Sequence, residues 1–486
     1  MNGSLLWRIA LGFVLSNGVC AQTTLPNIFA PGQPATASAV NENFDALASA
    51  IDGLKQIGRD VAVDCGADPA ALSQFFQQNT LIPGSNINIG ITGACQIPPG
   101  PGITVAGGGV SVALIGSSPD ASITGDNALA VRQNAKLYVQ DLSVSNATDG
   151  NYALLASSNG YLELQNVDAS NLEIVQASFV GANNLVVNPG GLYLSGSSYM
   201  TVSGLTVTGV VVISEGSTLA SSGSVAIGSD VNQNNLMVRS SSALRYAGED
   251  LNITGICEYE GASVASITGS ANVTGRCTLS NGSTWAQYNG TATINSVPGL
   301  GRGFIVEYGS TARFGGADLV FPSAETFQVL IKGNSFLELS GGGPDRSVVQ
   351  EITLEMGGRA LLVDTDLGAL DVNEAGVHIF NGTISSQLKA NQSAVRLIDT
   401  AVNASGSVFL QNNSSGYFQD ITVVTPGSML IFNSTAEVQG AQQPPLDRFS
   451  CSGKNLLNHR DFPANGPAPE LCMNGFFWDR LINTLQ

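Results

Sequence analysis

The sequence predicts an all-β chain wound as a right-handed parallel β-helix, a solenoid of short stacked strands. Three observations carry this expectation: an unusual polar composition, a strand-and-turn unit that recurs along most of the chain, and a short near-duplication that brings a cysteine pair into register. Of 486 residues 43% are hydrophobic, enough to build a large core, yet only 12% are charged and 57 are glycine. A quarter charged is ordinary for a globular chain, and a helical surface would carry Glu and Lys. Here Ser, Thr and Asn fill the polar positions, which suits many short strands joined by turns. Recurrent Val, Ile, Leu and Phe argue against disorder.

The recurring unit is a turn of Gly, Asn or Ser, then alternating apolar residues, then another small polar turn. Asn159–Val167 is one copy; others begin at Gly216, Asn334 and Gly427. Apolar residues that follow such turns, Leu137, Leu162, Leu219, Leu244, Val264 and Trp285, recur at one or two units of about 20 to 30 residues, the period of a solenoid. Such strands, all running in one sense, satisfy their backbones by stacking in parallel around a shared apolar interior. The near-duplication is Asn252-Ile253-Thr254-Gly255-Ile256-Cys257, repeated as Asn272-Val273-Thr274-Gly275-Arg276-Cys277. If one coil spans that interval, the two cysteines sit on neighbouring strands about 4.8 Å apart, within the reach of a disulfide. About 340 residues at roughly 22 per coil predict about 15 coils. A sandwich or propeller is the competing architecture, but propeller blades run to about 40 residues with hairpin signals.

Residues 1–21 read as an export signal: Arg8 in the charged region, Ile9 to Leu15 as the apolar stretch, and cleavage expected after Ala21. No later stretch approaches the ~18 apolar residues of a membrane span. Removing Cys20 leaves Cys65 with Cys95, Cys257 with Cys277 and Cys451 with Cys472, local pairs that read as disulfides in an exported chain. The two histidines, His378 and His459, lie far apart, against zinc. A net charge of −18 disfavours nucleic acid and anionic membranes, and polyuronates unless calcium mediates.

Residues 22–58 form a predicted helical neck. Val40, Phe44, Leu47, Ile51 and Leu54 alternate at spacings of four and three, a heptad seam, with Thr36 or Ser38 to cap its start. So short a helix does not persist alone, so residues 36–54 pack on their own chain or on sister copies. Residues 59–102 follow as an entry cap: the strand Val61–Cys65, a helix opened by Asp68-Pro69 through Leu72, Phe75 and Phe76, and a strand ending Gly93-Ala94-Cys95. The solenoid proper is expected over 103–440. Residues 441–486, with Pro444, Pro445, Pro463, Pro467 and Pro469, read as a disulfide-stapled exit cap closed by an apolar helix from Phe476 to Leu485, or as an aromatic docking tail.

The segment from Ala30 to Phe44 resembles the short N-terminal neck of secreted bacterial and phage-tail-like proteins, which implies self-association as a homotrimer. The order "VDC", amphipathic helix, "GxC" resembles the entry cap of secreted bacterial β-helix proteins of the pectin-lyase-like superfamily. That resemblance implies a secreted or periplasmic bacterial protein. It also makes extracellular polysaccharide a candidate partner; activity does not follow from architecture.

Only Asp364 and Asp366, followed by Asp371 and Glu374, offer acids in a pattern suggestive of chemistry, with Lys389 and Arg396 about one coil later. On one strand face Asp364 and Asp366 would stand about 7 Å apart. A polysaccharide lyase or glycoside hydrolase centred on Asp364, Asp366 and Arg396, or calcium held by Asp364, Asp366 and Asp371, is the functional reading. The plainer reading is a solvated turn. The sequence favours the plainer one, with no cofactor and no catalytic residues: an extracellular structural, adhesive or glycan-binding rod. Tyr161, Tyr193 and Tyr246 are candidates for a sugar-stacking stripe. The several Asn-x-Ser/Thr triplets are explained by stacked Asn in the turns.

Overall fold

The computed structural model describes residues 26–28, 36–55, 57–459 and 472–474, apart from 149–150, 298–299, 323–327, 341–345, 404 and 425–426. The export signal and the apolar helix expected at 476–485 lie outside the described residues. The chain is a parallel β-solenoid of about 17 turns, 58% strand and 6% helix. Among the described residues every strand pairing is parallel, from Ile57–Asp64 on Asn86–Thr92 through to Asn455–Leu457 on Cys472–Asn474.

Each coil crosses three sheets. In the first sheet Leu137, Leu162, Val180, Met200, Leu219 and Leu244 stack in one inward column. The chain then bends through a residue with positive φ into the second sheet, where Val144, Ala169, Val187 and Val207 stack. It turns again into the third, where Leu154, Leu172, Leu192 and Val211 stack. Strand alternation sends these residues inward, and all of them are buried in one continuous core. Coil length varies, from 17 residues between Ala360 and Val377 to 29 between Ile57 and Asn86.

The near-duplication falls where the sequence puts it. Asn252 through Cys257 pairs with Asn272 through Cys277 without a slip, and the cysteine Cα atoms are 4.6 Å apart in a disulfide. Both glycines of the repeat are required. Gly255 and Gly275 have φ of 106° and 142°, and a Cβ on Gly275 would stand 2.1 Å from the Gly255 carbonyl oxygen. Cys65 and Cys95 form the second disulfide, Cα atoms 4.9 Å apart. Cys451 is buried and disulfide-bonded, whereas the Cys472 side chain lies outside the described residues.

Two of the sequence anchors shift. Ala265, not Val264, stacks between Leu244 and Trp285, and Val264 faces outward at 39% exposed. A slip of one residue reverses the face. The unit at Gly427 belongs to another sheet than the unit at Asn334: Met429 stacks on Val408 in the third sheet, while Leu337 stacks in the first.

Polar ladders run beside the core. Ser178, Ser198 and Ser217 stack at the turn into the first sheet, the Ser198 and Ser217 hydroxyls each accepting the backbone N–H of the serine one coil before, at 3.3 and 3.1 Å. The arrangement returns as Ser393, Ser414, Ser434 and Asn455. At the first-to-second bend, Asn166 donates to Asp141 at 2.8 Å and Asn184 to Asn166 at 3.2 Å. All three have φ near +55°, which Asn and Asp tolerate best after glycine.

The helix α1 spans Ala37–Lys55, with Thr36 Oγ1 accepting the Ala39 N–H at 3.2 Å as its cap. Asn43 is buried against residues 26–28 by two hydrogen bonds with Asn27, while Phe44 is 64% and Leu47 39% exposed. The cap helix α2 spans Ala71–Gln78, two residues later than the Asp68-Pro69 start the sequence suggests. Asp68 instead accepts the Ala70 N–H and the Gln74 amide from the preceding turn, at 3.0 and 2.9 Å.

Candidate functional site

The four acids between 364 and 374 are close in sequence but belong to four different parts of one coil. Asp364, φ 51°, is the bend between the first and second sheets, at the position Asn166 fills above Asp141. Its carboxylate accepts the side-chain amide of Asn381, the bend residue one coil on. Asp366 stands on the outer face of the second sheet, between Val348 and Thr383. Asp371 stands on the third sheet, in register with Lys389. Glu374, φ 50°, is the next turn. With Asp364 in the bend, the strand alternation that would place it on one face with Asp366 is broken.

The basic partner is also different from the one the spacing suggests. Asp366 Oδ1 pairs with Arg346 Nη1 at 3.1 Å, and Arg346 reaches on to Thr383 and Asn381 at 3.3 and 3.4 Å. Arg396 lies on the outer face of the first sheet, stacked between His378 and Tyr417. The structure therefore does not bring Asp364, Asp366 and Arg396 together as one constellation. Among the described residues no three His, Cys, Asp or Glu side chains gather to hold a metal ion, so Asp364, Asp366 and Asp371 do not converge on a calcium.

The tyrosines do not make a stripe. Tyr246 points inward, 2% exposed, its hydroxyl donating to the Gly223 carbonyl at 2.9 Å. Tyr161 stacks on Phe179 at 5.1 Å, and Phe179 on Tyr199 at 5.6 Å, so these rings spend their faces on one another. Tyr193 belongs to the third sheet, in a 630 Å³ groove with Tyr152, Glu173 and Glu215. Much of that groove's polar lining is engaged within the fold: Asn171 binds Ala153 and Asn151, and Glu215 accepts the Gly196 N–H.

A second groove, of 440 Å³, runs along the first sheet near the C-terminal end of the solenoid. Its axis is the outward column His378, Arg396, Tyr417, Glu437, Asn458, one residue per coil. The parallel column beside it is Gly376, Ala394, Ser415 and Thr435, short side chains that leave the groove open. The Arg396 guanidinium lies over the Tyr417 ring at 5.2 Å and the Phe380 ring at 5.9 Å. Burial, and then the Arg396 charge, hold the His378 imidazole below the usual histidine range. Tyr417 donates towards Gln419 and Gln439 at 3.2 and 3.3 Å, and Gln439 in turn donates to Glu437. These five residues are 18 to 21 positions apart, and only the coil register aligns them. Of these, the sequence offers only Arg396 as a site residue, and it sets His378 aside as a zinc ligand. No family model, curated protein or solved structure matches the chain, so the chemistry of the site is read from its own residues.

Proposed function

We propose that the protein is a non-catalytic extracellular rod, structural or adhesive, that self-associates through α1 as a homotrimer. The observation that carries this reading is the apolar face of α1. Phe44 and Leu47 lie on the heptad seam and are exposed, and Ile28, next in the chain to Asn27 that binds Asn43, is almost fully exposed too. Copies of the same helix would bury that face in coiled-coil fashion. The disulfides support an oxidising compartment, and the predicted export signal agrees with it. Support for the non-catalytic part comes from the acids: Asp364 is tied to Asn381 and Asp366 to Arg346, so both serve the coil stack. The test is light scattering on the mature chain with and without residues 22–58. A trimer that becomes a monomer on truncation is expected. A monomeric full chain would end the self-association reading, and cleavage of any polysaccharide in a panel, with or without calcium, would end the non-catalytic one.

A further inference from the structure

We propose that the groove centred on Arg396 binds a carboxylate-bearing sugar presented on an otherwise neutral glycan. Among the described residues Arg396 makes no ion pair and no hydrogen bond, although the chain carries 37 acids to 19 lysines and arginines. Its Nε is buried without a partner. Rings from the neighbouring coils, Phe380 and Tyr417, lie against the guanidinium and fix its orientation, which leaves its Nη edge for a ligand. A planar fork held in this way suits a carboxylate, which it meets with two parallel N–H bonds. His378 beside it is held towards its neutral form and adds no competing charge at neutral pH.

The rest of the groove suits a polyol. Glu437 and Asn458 stand two and three coils beyond Arg396, about 10 and 14 Å along the rod, as acceptor and donor for sugar hydroxyls. The floor of Ala394, Ser415 and Thr435 gives room for sugar rings, and 440 Å³ falls within the roughly 300–1,000 Å³ of small-molecule sites. Charge decides between acidic glycans. A chain of net charge −18 repels a polyanion, and Glu437 in the same groove repels a second carboxylate, so one isolated acidic unit fits where a polyuronate does not. The site does not depend on α1 or on oligomeric state, so its test and the light-scattering test fail separately.

The experiment is calorimetric titration of the whole mature protein with sialyllactose, its methyl ester, lactose and trigalacturonate. Sialyllactose is expected to bind at least tenfold more tightly than the ester, lactose or trigalacturonate. Arg396→Gln is expected to weaken sialyllactose binding about ten- to a hundredfold, and Arg396→Lys, which keeps the charge but loses the fork, to recover only part of it. Equal binding of sialyllactose and its ester to the wild-type protein would overturn the carboxylate assignment without recourse to any variant. An unweakened Arg396→Gln protein would overturn the site, and tighter binding of trigalacturonate would overturn the single-charge ligand.

Discussion

Tyr259 shows how much a single side chain can matter in a solenoid core. It is wholly buried in the third sheet, packed edge-on against Trp285 at 5.7 Å, and its hydroxyl has no hydrogen-bond partner among the described residues. Burial drives its phenol far above the usual tyrosine range, so the ring stays neutral and the cost is an unmet hydroxyl. Tyr259→Phe is therefore expected to stabilise the protein by about 1–2 kcal/mol, read as a higher urea midpoint; an unchanged or lower midpoint would contradict the burial. At this scale the sequence is legible only where alternation runs unbroken. Leu162, Leu219 and Leu244 are readable as inward because the turn before each is regular. Tyr246 lies two residues beyond Leu244 and so also points inward, but as a tyrosine in a polar stretch it reads as exposed. The acids at 364, 366 and 371 read as a cluster because sequence distance conceals the coil's path, which leaves Asp364 in a bend, Asp366 on the second sheet and Asp371 on the third.

Coils are held by ladders as much as by the core, and ladders can be tested one rung at a time. Ser414 Oγ accepts the Ser393 N–H at 3.2 Å and donates to Gln411 and Ala390. Ser414→Ala leaves the buried Ser393 N–H without that partner and is expected to cost about 1–3 kcal/mol, with faster amide exchange across this coil and its neighbours. Exchange raised uniformly along the whole chain, or nowhere, would contradict a local ladder. A second rung senses acid. The Gln442 N–H, and then that of Ala441, hold the Asp420 carboxylate below its ordinary range, with bonds of 3.1 and 2.6 Å. A depressed folded pKa gives stability that is present above the unfolded Asp value, about 3.9, and is lost as pH falls through the folded one. Protection of the Ala441 and Gln442 amides is thus expected to hold at neutral pH and to fall below about pH 4; loss on raising the pH would reverse the sign and refute the contact. The repeat at Asn252 and Asn272 is legible because one coil of equal length separates the copies. The unit at Gly427 misleads because all three sheets use the same small-turn, alternating-apolar pattern, so pattern alone does not identify the sheet.

As a whole the molecule is a stack of about 17 turns, close to the 15 expected from repeat length, or about 80 Å of rod at one strand spacing per coil. Parallel pairing extends beyond the repeats visible in the sequence at both ends, taking in Val61–Asp64 and Phe449–Ser452. Those end segments are broken by helix, proline or loop, and only pairing partners reveal them as coils. The Arg396 groove is legible only at this scale, since His378, Arg396, Tyr417 and Glu437 meet through stacking and through no local motif. Site, ladders and rod all depend on neighbouring coils lying in the stated register. Peptide mapping of the unreduced protein by mass spectrometry tests that register most directly. Cys257 is expected to be linked to Cys277, and Cys65 to Cys95. A peptide joining Cys257 to any other cysteine, or Cys257 and Cys277 recovered as free thiols, would contradict that register.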